Sequence, residues 1–122
     1  MSESSIGYKD LTVVRGMFRE KWHPQLINVF LWCLVRFSRL VLTAAWELGH
    51  PSGMHETIPL RAIDLRSWIF KDPQAVCDDI NLHWIYDSKR PEKEVCIFHD
   101  TGSGPHLHLQ VHDNTVYRKE II

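Results

Sequence analysis

The segment Pro105-His106-Leu107-His108-Leu109-Gln110-Val111-His112 sets three imidazoles and one amide at alternate positions. Side chains on a β-strand alternate between faces. His106, His108, Gln110 and His112 would therefore line one face, and Leu107, Leu109 and Val111 the other. The apolar face can anchor the strand in a core. The polar face gathers the commonest metal-binding side chain, which is also the one that changes charge near neutral pH. Asp64 extends the set. It lies in an alternating stretch, residues 60–67, with Ala62, Asp64 and Arg66 on one side and Ile63 and Leu65 on the other. Aspartate is disfavoured within strands, so it needs either an arginine partner or a metal. His55 lies in the loop just before that stretch, and His50 lies in the same loop region and could reach instead. Two histidines and a carboxylate match a catalytic zinc site, which keeps a further position for water. On this reading His55, Asp64 and His108 are the metal ligands. His106, on the same face as His108, is placed for general-base work. The alternative is a solvated strand face with incidental histidines.

The elements that would hold these residues can be read from periodicity. Residues 1–9 read as a loose polar terminus, and residues 11–18 are ambiguous. His23-Pro24 opens a helix over about 24–39, because proline suits the first helical turn and Leu26, Ile27, Phe30, Leu31, Leu34 and Val35 recur at helical spacing. Residues 40–46 turn β-like, and Gly49-His50-Pro51-Ser52-Gly53 reads as a loop. Asp72-Pro73 caps and starts a second helix carrying Val76, Ile80 and Trp84. Residues 94–99 and 106–112 read as strands, with an edge strand over 116–122. Short connections favour a small antiparallel sheet with helices on one face and the metal site on the other, an α+β arrangement.

The chain has 122 residues, 44% hydrophobic and 24% charged, with a formal net charge of −1. That describes one domain with a real core. The charge balance advertises neither nucleic acid nor an anionic membrane as partner. The longest apolar stretch, residues 26–35, falls short of the roughly 20 residues that span a bilayer. The first residues carry Glu3, Lys9 and Asp10 without an apolar run, so no secretory signal is expected. The three cysteines, Cys33, Cys77 and Cys96, lack CxxC spacing and read as reduced, buried thiols, which fits synthesis in the cytoplasm.

His55, then Arg61-Ala62-Ile63-Asp64-Leu65, then a distant Pro105-His106-Leu107-His108, resembles the zinc peptidases of the D-alanyl-D-alanine peptidase and L-alanyl-D-glutamate endopeptidase group. Murein endopeptidases and the hedgehog signalling domain share that fold. The resemblance spans roughly residues 40–112. It implies one Zn²⁺ held by His55, Asp64 and His108, with His106 as the catalytic histidine. It also implies a peptidase acting on bacterial cell-wall peptidoglycan peptides, of the small kind frequent in phages and prophages, reaching the wall after release. The chain departs from the family pattern in three places. The interval from His55 to Asp64 is longer than usual. Leu60 stands where the family has glycine. Trp46-Glu47 occupies the region where many members carry an arginine for the substrate carboxylate. Arg61 or Arg66 could take that arginine's part, with Gln110 and His112 lining the substrate cleft. Glu47 and Glu56 are further acid/base candidates near the first ligand. The alternative function is a non-catalytic zinc-binding or interaction domain with the same fold.

Overall fold

A computed structural model describes residues 3–47, 53–102 and 104–119. The fold is α+β, with three helices and a five-stranded sheet. In chain order the elements are β1 (Ser5–Tyr8), α1 (Leu11–Arg19), α2 (Pro24–Phe37), β2 (Arg39–Ala44), a short 3-10 turn (Gly53–Glu56), β3 (Ala62–Arg66), α3 (Pro73–His83), β4 (Trp84–Ile85), β5 (Cys96–Asp100), β6 (Pro105–Gln110) and β7 (Val116–Tyr117).

The large sheet runs β1-β2-β3-β6-β5, while β4 and β7 form a separate pair. The expected antiparallel sheet is a mixed one. β2, β3, β6 and β5 pair antiparallel, but β1 joins the edge of β2 in parallel, with Ser5 opposite Arg39 and Tyr8 opposite Leu42. The residues read as a loose terminus thus include a sheet strand. Polar composition hid it, because a four-residue edge strand with little burial carries almost no hydrophobic pattern. The edge strand expected at the C-terminal end pairs with β4 instead of joining the main sheet.

Helix starts follow local chemistry. The Asp10 carboxylate accepts from the Val13 N–H at 3.2 Å, and Asp72 accepts from the Ala75 N–H at 3.1 Å. Each cap satisfies a donor that the first helical turn would otherwise leave open. α2 is capped by His23, whose Nδ1 accepts from the Gln25 N–H at 3.1 Å. Its apolar stripe (Leu26, Val29, Phe30, Cys33) joins Val13 of α1, Cys77 and Ile80 of α3, and Leu40, Leu42, Ile63, Leu65, Leu107 and Leu109 of the sheet in one core. The strand alternation that buries Ile63, Leu65, Leu107 and Leu109 there sends Asp64, His106, His108 and Gln110 to the opposite side. No helix among the described residues is long and apolar enough to cross a membrane.

Candidate metal centre

The central strands β3 and β6 bring Asp64 and His108 together as direct cross-strand partners, with Arg66 opposite His106 one step along. Neighbours in such a pair have side chains within contact range. On the other side of β3, the register against β2 shifts between Leu42 and Ala44, so Leu42 faces Leu65 in the core while Ala44 comes beside Asp64. Small side chains at Ala44 and Ala45, both buried, leave room there for the 3-10 turn that carries His55. The Glu47 N–H donates to the His55 carbonyl at 3.0 Å and ties that turn to the end of β2. His50 lies outside the described residues.

His55, Asp64 and His108 are all buried, and one ligand atom from each lies within 4.8 Å of the others, a group that could hold a metal ion. Their hydrogen bonds fix how the imidazoles are turned. His55 Nδ1 lies 2.8 Å from the Ala45 carbonyl, which can only accept, so Nδ1 carries the proton and Nε2 faces Asp64 Oδ1 at 3.2 Å. Gln110 donates its amide to the Glu94 carbonyl at 2.9 Å, which turns its oxygen toward His108 Nε2 at 3.2 Å. His108 therefore donates from Nε2 and turns Nδ1 to Asp64 Oδ1 at 3.0 Å. Two imidazole lone pairs thus converge on a carboxylate oxygen. At these distances they repel unless positive charge sits among them, either as protons on the rings or as one cation. Imidazoles whose outer N–H is held by a carbonyl while the inner nitrogen points at a shared focus are the usual dress of metal ligands.

Burial opposes ionisation of Asp64. Contacts to His108 and His55, with the electrostatic influence of the neighbouring His55 and His106 rings, outweigh it and hold the carboxyl well below the usual carboxylate range. The group is thus set up as a carboxylate.

His106 stands beside this group. Its Nδ1 donates to the Gly104 carbonyl at 3.0 Å, and its Nε2 lies 3.5 Å from Asp64 Oδ2, buried and without a hydrogen-bond partner among the described residues. His99 lies on β5 opposite His106. Its ring lies 4.8 Å from that of His106 and 5.6 Å from that of His108. Burial first, then the neighbouring His106 and His108, push its imidazole below the ordinary value, so it adds an aromatic wall rather than a charge.

An open cleft of about 600 Å³ adjoins the group, lined among others by Lys9, Thr43, Glu47, Asp64, Arg66 and His106. Three residues expected to bind substrate lie elsewhere. Arg61 donates to Asp113 at 2.9 Å, in a cluster that also takes His23 at 3.0 Å. Gln110 is buried as the brace of His108. β6 ends at Gln110, so His112 leaves the alternation and packs on Tyr86 with Nδ1 3.7 Å from Asp87. Arg66 does line the cleft, as its place on the Asp64 face allowed. Lys9 had no readable signal, because its position depends on the unforeseen β1.

No family model matches the chain, and neither a curated protein nor a solved structure matches it.

Proposed function

We propose that this protein is a zinc-dependent peptidase that hydrolyses peptide bonds in bacterial cell-wall peptidoglycan, in stem peptides or cross-links. The supporting observation is the convergence of two carbonyl-braced imidazoles on Asp64 at the wall of an open cleft that also holds His106. Two nitrogens and one carboxylate oxygen suit zinc and leave a position for substrate or water. When bound, zinc would supply a water nucleophile at neutral pH and polarise a carbonyl. His55, Asp64 and His108 would hold the ion, and the Ala45 and Gln110 oxygens keep the imidazole rings from turning. His106 handles the proton. With Nδ1–H committed to Gly104, its Nε2 lone pair takes the proton from the attacking water and delivers it to the leaving amine. The wall-peptide substrate rests on the likeness of His55, Ala62-Ile63-Asp64 and His106-Leu107-His108 to the zinc peptidases described above.

The test is zinc content by elemental analysis together with product release from purified peptidoglycan. The wild-type protein is expected to hold one zinc and release peptides. His108→Ala should lose both, whereas His106→Ala should keep the zinc and lose turnover by about 10²–10⁴-fold, the usual worth of a positioned acid–base group. Undiminished zinc in His108→Ala overturns the ligand assignment. Stoichiometric zinc without product release from the wild type identifies a non-catalytic zinc-binding domain instead.

A further inference from the structure

The tautomer of His106 turns on one backbone carbonyl. Its Nδ1 lies 3.0 Å from the Gly104 oxygen, which can only accept, so the proton sits on Nδ1 and the lone pair on Nε2. The other tautomer is close at hand, because Nε2 lies 3.5 Å from Asp64 Oδ2 and a proton there would face a carboxylate. Which form prevails depends on how firmly the Gly104 carbonyl is held. Glycine is the residue least able to hold it, since no side chain restricts its backbone. Gly104 has φ +103°, a conformation that L residues avoid, and Pro105 has no N–H to anchor the peptide that follows. Two side chains supply the missing anchors. On one side Asp100, the last residue of β5, accepts from the Gly102 N–H at 2.8 Å and from the Gly104 N–H at 3.0 Å. Those bonds keep its carboxyl below the ordinary value. On the other side Ser67, buried just past the end of β3, donates its hydroxyl to the Pro105 carbonyl at 2.9 Å. The Gly104–Pro105 peptide is thus gripped from both ends, with its oxygen against the His106 ring.

We propose that Asp100 and Ser67 are positioning residues, which fix the Gly104 carbonyl against His106 Nδ1–H and so keep the Nε2 lone pair of His106 turned toward Asp64. The inference rests on the peptidase reading for the use made of that lone pair, but the tautomer itself is a property of the fold. Both residues act through the backbone and neither handles a proton. With either anchor gone, the glycine is free to swing its carbonyl, and Nδ1–H loses the acceptor that favours it over Nε2–H. A base whose lone pair points at Gly104 instead of at the cleft cannot take a proton from the attacking water.

The test reads the tautomer directly, by long-range ¹H–¹⁵N NMR of the histidine rings in the full-length zinc-loaded protein at mildly alkaline pH, with peptide release from peptidoglycan recorded separately. Wild-type His106 is expected as the Nδ1–H form. In Asp100→Ala the ratio of Nδ1–H to Nε2–H should fall by about 3–10-fold, the worth of one hydrogen bond, and Ser67→Ala should move it the same way. Asp100→Asn keeps an acceptor oxygen and should restore the wild-type ratio. Asp78→Ala, on the exposed side of α3, should leave it unchanged. Turnover should drop with the ratio while KM and zinc content hold, a split that general loosening of the fold would not give. Circular dichroism establishes that each variant is folded, and Ser67→Ala carries the test where Asp100→Ala does not fold. A wild-type Nε2–H form, or a ratio that neither alanine variant moves, overturns the proposal. A ratio that shifts as expected, with no peptide release by the wild type, upholds the anchors and refutes the peptidase reading. Peptide release with an unmoved ratio does the reverse.

Discussion

His106 and His108 sit two residues apart on one strand face, yet their surroundings give them different work. His108 is held by Gln110 and turned onto Asp64 Oδ1, whereas His106 is held by Gly104 and stops beside Oδ2. The alternation of residues 105–110 made the stripe legible in the sequence, and the Ala62-Ile63-Asp64 pattern located its acidic partner. What alternation cannot show is a backbone carbonyl. The Ala45, Gly104 and Glu94 oxygens that orient the site belong to segments whose side chains give no hint of it. Gln110 looked like cleft lining because it shares the face of His108, but the strand packs that position against Glu94. On the zinc reading proposed above, Gln110→Ala is expected to lower zinc affinity by about 10–100-fold, the usual cost of removing a ligand's supporting partner. Competition with a fluorescent chelator measures this, and wild-type affinity in the variant would dismiss Gln110 as the brace.

At the scale of elements, α2, α3, β3, β5 and β6 were readable because each combines an apolar period with a cap or breaker. α1 and β1 were not, since their fit depends on contacts distant in sequence. α1 meets the end of β2 at Gly16, where an added Cβ would lie 2.3 Å from the Trp46 carbonyl oxygen. Backbone cannot yield as a side chain can. Gly16→Ala should therefore push α1 away from the end of β2 and cost about 1–3 kcal/mol, the range for overpacking a filled space. Urea denaturation reads the loss, and an unchanged midpoint would mean that α1 is not seated there. Asp72→Ala is expected to cost about 1 kcal/mol through loss of the α3 cap, with zinc binding unaffected because the helix lies across the core from the site.

For the whole molecule, a metal bound at the proposed centre would couple to stability. Any ligand that binds only the folded state adds stability, by about 4 kcal/mol at a thousandfold excess over its dissociation constant. A chelator should thus lower the thermal midpoint of the wild type by several degrees and leave that of His108→Ala unmoved. Acid acts through Asp64. Its folded carboxyl is held below the ordinary value of about 3.9, so on acidification the unfolded chain takes up the proton first. The stabilisation is present above about pH 4 and is lost as the pH falls further. In metal-free protein, stability between about pH 5 and pH 3 should fall less steeply for Asp64→Asn than for the wild type, by urea midpoints at each pH. Parallel slopes would remove Asp64 from the account. The position of β3 between β2 and β6 also has a bearing on biosynthesis. Asp64 emerges from the ribosome well before His108, its cross-strand partner. A nascent chain therefore carries the acidic half of the centre long before it can close around an ion. On the metal reading proposed above, the centre would close only once β6 has been made and has paired with β3.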